Sequence, residues 1–199
     1  MTKIHHFFRH RSHNRLAFIL NVATIGAMFS FFMPTPIEFV FSAEERKQAM
    51  EEGHRRQFVN EAKGLRGRNK GPRFGDKALE VHLLGAAGEM AVAALLGLKH
   101  ELYRESEARR GSDDLPGIDV KTRSKHSYDL IVQKNEDPHK KFVLVTIENQ
   151  KTFIHGWCWG EEAMEERFWA DPARGRPAYF VPKDFLRPMS TLKPHAFVQ

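Results

Sequence analysis

From Gly117 onward the chain changes to period two. GIDVKT, YDLIVQ, KFVLVTI and TFIHGWCW are short runs rich in β-branched and aromatic residues, the pattern of strands with one face in a core. Just before them, ALEVHLLGAAGEMAVAALLGL (Ala78 to Leu98) reads as a buried helix. After them, GEEAMEERFWA reads as a second, amphipathic helix, and PAYFVPKDFLRP as a short strand or extended arm interrupted by prolines. Helix, several strands, helix, strand is the order of a mixed α/β domain.

Within the first of these helices Gly85 and Gly88 lower the intrinsic propensity, so something is expected to pack close to the backbone there. Gly97 suits its C-terminal end. Glu89 is the sole acid between Val81 and His100. It shares a helix face with His82, Gly85 and Ala93. The helix alone leaves Glu89 either at an exposed edge or held for a purpose. Upstream, Ser42 followed by Ala43-Glu44-Glu45 predicts another helix start, with the helix running to about Asn60.

Between these helices lies EAKGLRGRNKGPRFGDK, Glu61 to Lys77, rich in glycine and basic residues. Such a segment buries little and is expected to be a loop. Lys63, Arg66, Arg68, Lys70 and Arg73 suit a phosphate backbone, where each contact releases counterions; a solvated linker has the same composition. The 199 residues carry a net charge of +6, which favours an acidic partner, nucleic acid first. Cys158 is the single cysteine, so an internal disulfide and a multi-cysteine zinc site are excluded and a reducing, cytoplasmic setting is favoured.

The first 32 residues form a hydrophobic leader. RHRSHNR precedes LAFILNVATIGAMFSFFM, Leu16 to Met33. Three readings stand: sequence upstream of a true start at Met33, a membrane anchor through residues 16–33, or a signal peptide without a good cleavage site. The expected organisation is this leader over 1–32, a helix and basic arm over 33–77, and the mixed α/β domain over 78–199.

Ser112 to Ser124 reads SDDLPGIDVKTRS. Pro116 and Gly117 suit the centre of a tight turn. A two-residue turn pairs Leu115 with Ile118 and sets Asp114 opposite Asp119. Like charges so placed are destabilising, unless a cation lies between them; Mg²⁺ takes one or two carboxylates plus water and phosphate oxygens. Lys121 follows on the same strand face as Asp119. Asp113 competes with Asp114 for the first acidic position, but by this register it faces the other side.

GAAGEMAVAALLG, then Asp114, then IDVK, then a strand ending IHGWCWG before a helix, together resemble the PD-(D/E)XK nuclease superfamily, and most of all small nuclease-like proteins of bacteriophages and prophages. The resemblance covers roughly Ala78 to Pro188. It implies a restriction-endonuclease-like α/β core of α-β-β-β-α-β order, a mixed sheet flanked by helices. Asp114 and Asp119 match the metal-binding acids, Lys121 the catalytic lysine, and Glu89 the acid from the first core helix. His82 and Gln133 are placed near the site. The implied activity is metal-dependent hydrolysis of DNA, with Mg²⁺ (Mn²⁺ substituting) and no organic cofactor. The alternative is an inactive nucleic-acid-binding or structural phage protein of the same fold. The sequence departs from the family in lacking a proline before the first acid and in its short gap between the acids.

Overall fold

The computed structural model describes residues 35–64, 76–98 and 113–193, all within the compact unit Pro34–Gln199. The leader, and Arg66, Arg68, Lys70 and Arg73 of the basic arm, lie outside the described residues. The elements are β1 (Ile37–Phe39), α1 (Ala43–Ala62), α2 (Asp76–Leu95), β2 (Ile118–Arg123), β3 (Leu130–Val132), β4 (Lys141–Glu148), β5 (Lys151–Trp159), α3 (Gly160–Ala163), β6 (Trp169–Ala170) and β7 (Ala178–Val181).

α1 starts where the local chemistry directs. The Ser42 hydroxyl accepts the Glu45 N–H at 3.2 Å and the Glu45 carboxylate accepts the Ser42 N–H at 2.8 Å, a reciprocal cap that satisfies two otherwise orphan donors. Its buried stripe, Ala49, Glu52, Gly53 and Gln57, follows helical spacing and lies against α2. A Cβ on Gly53 would stand 2.8 Å from the Leu83 Cα, so the helices cross at a point that only glycine allows. α2 ends with Gly97 at φ +64°; the Leu98 N–H reaches the Ala93 carbonyl and the Gly97 N–H the Ala94 carbonyl, a Schellman closure.

The main sheet has the order β1-β5-β4-β2. β4 pairs antiparallel with β5 and parallel with β2, so the sheet is mixed and β2 is its edge. On one face Ile118, Val120, Val143, Val145, Ile154 and Trp157 pack with Ala91, Val92 and Ala93 of α2. Gly88 makes this contact possible, since a Cβ there would fall 1.9 Å from Thr122 Oγ1. α2 is long and apolar enough to span a membrane by length and composition, but here its apolar face forms this core.

The other face carries Phe142, Leu144 and Cys158, buried with Leu130, Val132, Phe168 and Val181. The α/β class and mixed sheet agree with expectation, as do strands β2, β3, β4, β5 and β7. The second helix does not. GEEAMEERFWA yields one turn, a short 3₁₀ segment Glu166–Phe168 and strand β6, and the face is covered by the antiparallel sheet β3-β7-β6. The physical reason lies in the glutamates: Glu161/Glu165 and Glu162/Glu166 stand at i,i+4, where like charges oppose helix. Glu162 is instead drawn into an ion pair with Arg187. Cys158 is a core residue, as expected of a strand cysteine, and burial pushes its thiol up to about 12.

Candidate active site at the edge of the mixed sheet

The turn that opens β2 has two central residues. Leu115 and Ile118 exchange backbone hydrogen bonds of 3.0 and 2.9 Å, and Gly117 takes φ +69°, a conformation open to glycine at little cost. The two aspartates before the turn separate as the register requires. Asp113 turns back: Oδ2 accepts the Gly117 N–H at 2.9 Å and Oδ1 pairs with Lys140 Nζ at 2.7 Å. Asp114 crosses the turn, and its Oδ2 accepts the Val120 N–H at 2.8 Å.

Asp114 therefore meets Asp119, with which it shares a side-chain hydrogen bond, and feels the charge of Glu89. Burial first, then the Glu89 and Asp119 carboxylates, push the Asp114 carboxyl up to about 8, against the lowering effect of the Val120 N–H. These effects favour the protonated form of Asp114. Lys121 lies one pleat further on. Its Nζ is 2.9 Å from Asp119 Oδ1 and 3.0 Å from Glu136 Oε1, and 5.2 Å from the Phe142 ring centre.

Glu89 enters from α2 and is held from α1. Arg56 Nη1 and Nη2 donate to its two oxygens at 2.6 Å each, a fork geometry that fixes a carboxylate in one plane. Arg56 Nε donates to Glu52 Oε1 at 2.7 Å, and Arg55 donates to both Glu52 oxygens. Although burial opposes it, pairing with Glu89 and then Glu52 holds the Arg56 guanidinium well above its ordinary range. Gly85 borders this pair, with its open side 3.8 Å from Arg56 Nη1.

Of the other sequence-predicted residues, His82 Nε2 contacts Asn60 Nδ2 at 3.0 Å. Burial and the Arg56 charge lower its pKa, so it belongs to the helix pair behind Glu89. The Gln133 carbonyl accepts the Glu136 N–H at 3.1 Å, which places it one turn from the partner of Lys121. Lys63 closes α1, donating its N–H to the Val59 carbonyl. Thus Asp114, Asp119 and Lys121 come together, with Glu89 near enough for its charge to reach Asp114, while His82 and Gln133 sit behind them.

Sequence reasoning missed Glu52, Arg56 and Glu136. Arg56 stands 33 positions from Glu89 on a different helix, and no local pattern connects the two. The acid stripe of α1 was the available signal, since Glu52 falls at the buried spacing between Ala49 and Gly53. No family model, curated protein or solved structure matches the chain. The reading of the site therefore rests on its chemistry.

That chemistry can be tested for fit to a divalent ion. Among the described residues, no group of three His, Cys, Asp or Glu side chains stands at ligand spacing, and both Glu89 oxygens are engaged by Arg56. What fits a hard cation is the Asp114–Asp119 pair, two carboxylates whose oxygens face one another across the turn.

Proposed function

We propose that the chain is a metal-dependent deoxyribonuclease with its active site at Asp114, Asp119 and Lys121. The observation that carries this reading is the opposed Asp114 and Asp119 carboxylates at one tight turn, with the Lys121 ammonium 2.9 Å from Asp119 on the same strand face. A purely solubilising hairpin would point its acids apart; this one crowds them. Asp114 and Asp119 would hold Mg²⁺ or Mn²⁺. When bound, such an ion polarises phosphate and makes water a better nucleophile at neutral pH.

The protein's own groups have separable tasks. Lys121, a donor between Asp119 and Glu136, is placed to orient water or a phosphate oxygen and to stabilise charge gathering on phosphate. Glu136 and Phe142 fix where its ammonium sits. In the overall hydrolysis a water oxygen bonds to phosphorus, the bond to one ester oxygen breaks, and a water proton ends on the released hydroxyl. Glu89 adds negative charge beside Asp114, while Arg56 holds its orientation.

A second reading is a nucleic-acid-binding protein without chemistry. It is favoured by the internal pairing of the site's cations, Arg56 on Glu89 and Lys121 on Asp119 and Glu136. The two are separated by incubating the purified full chain with closed circular and linear DNA in Mg²⁺ or EDTA, beside Asp119→Asn. Cutting that needs Mg²⁺ and vanishes in the variant is the expected result. Binding without cutting of either form, in both proteins, would leave only the second reading.

A further inference from the structure

Beyond Lys121, β2 ends in Arg123, on the same face by strand alternation. Arg123 stands beside Thr146 of β4 in the pairing register. Its guanidinium lies over the Tyr128 ring, 4.9 Å from the centre, and Lys125 Nζ approaches the same ring at 5.7 Å. The Arg123 Nε is buried and has no hydrogen-bond partner among the described residues. Tyr128, by contrast, is 37% exposed, so the aromatic plate that holds the two cations faces outward. Lys183 adds a third cation, donating to the His126 carbonyl. The facing acids are Asp129, whose charge reaches Arg123, and Glu148, whose Oε2 is engaged by the His126 N–H at 2.8 Å.

An arginine fixed on an aromatic face is pre-organised for a phosphate. Two residues along a strand span about 6.6 Å, close to the rise of two nucleotides at roughly 3.4 Å each per strand. We infer that Arg123 and Lys125, held on Tyr128, bind a nucleic-acid backbone phosphate one or two nucleotides from the one presented to Lys121. This extends the nuclease reading and rests on it. It supplies a direction for the bound strand: along β2, from the acids at its start toward Tyr128 at its end.

The test measures binding of a fluorescent mixed-sequence DNA duplex to full-length Asp119→Asn protein, from 50 to 200 mM salt, alone and with Arg123→Gln, Lys125→Gln or Arg123→Lys added. Each lost phosphate contact lowers the slope of log affinity against log salt by about 0.9. Arg123→Gln and Lys125→Gln should each show that loss, so that the affinity deficit seen at 50 mM shrinks about 3.5-fold by 200 mM. Arg123→Lys should recover most of the slope, since it keeps the charge. Should Arg123→Gln fail to fold, the exposed Lys125→Gln change carries the test alone. Parental binding with unchanged slopes in the Gln variants would overturn this surface and leave the nuclease reading standing. No DNA binding by the parent at 50 mM salt would overturn both.

Discussion

The mixed sheet carries two polar clusters of opposite character. At the start of β2, burial and the Glu89 and Asp119 carboxylates push the Asp114 carboxyl up to about 8. On β4 and β5, Thr146 Oγ1 sits 2.7 Å from His155 Nε2 and 2.9 Å from His126 Nδ1. There burial, with Lys183 and His126 nearby, lowers the His155 pKa to about 4, so the group is neutral and its hydrogen bonds are met internally. A Thr–His pair whose hydrogen bond is met internally stabilises the fold and asks for nothing further. The acids at the start of β2 each have a partner, but Glu89 and Asp119 both work against ionisation of Asp114, so that cluster is the one where an added cation would relieve repulsion.

The sharpest break between them is in activity. Lys121→Ala should lower the rate of DNA cleavage about 10²–10³-fold, the usual size of a lost electrostatic donor, whereas Thr146→Val should leave single-turnover rates within about threefold. Equal losses in the two would erase the distinction.

Arg56→Ala tests how the acids are held. It removes the fork on Glu89, whose side chain keeps only 7% exposure, and leaves Glu52, 2% exposed, to Arg55 alone. Losing one partner of a buried pair costs about 3–5 kcal/mol, and the lower end applies because Arg56 retains 27% exposure. Urea unfolding should show a stability loss of that size; a neutral result would mean that the Glu89 carboxylate is held without Arg56.

The pH dependence of stability should separate the clusters by sign. Asp114 binds its proton more tightly folded than unfolded, so its contribution is fully present below about pH 4 and is lost as pH rises through about 8. His155 is depressed, so its contribution is present above the ordinary histidine value near 6.5 and is lost as pH falls toward about 4. Between roughly pH 4 and 6.5 the two slopes oppose, each at most about 1.4 kcal/mol per pH unit. Asp114→Asn should remove the falling limb up to pH 8, and His155→Gln the rising limb, when melting is followed across pH. Identical profiles for the two variants would contradict the assignment of either group.

The smallest effect belongs to Thr146→Val. It leaves two imidazoles short of one neutral partner, worth about 1–3 kcal/mol, measurable as a lowered melting temperature.

Much of this was legible in the chain. Ser42 with Glu45 marks a helix start by a local exchange of hydrogen bonds, and Leu-Pro-Gly-Ile specifies a two-residue turn because Pro and Gly admit the needed backbone angles. Once that turn exists, strand alternation puts Asp119 and Lys121 on one face and turns Asp113 away from Asp114. Helical spacing likewise placed His82, Gly85 and Glu89 together.

What the sequence determined by itself was whatever depends on neighbours within a few residues: caps, turn, strand faces and the short-range geometry of the acids. Only the tertiary structure decided that Arg56 would grip Glu89, that Glu136 would share Lys121, and that a three-stranded sheet would replace a helix over Phe142 and Leu144. Those outcomes depend on which distant surfaces meet. Gly53 against Leu83 and Gly88 against Thr122 set two of those meetings, and a missing Cβ in a sequence does not say what will fill the space.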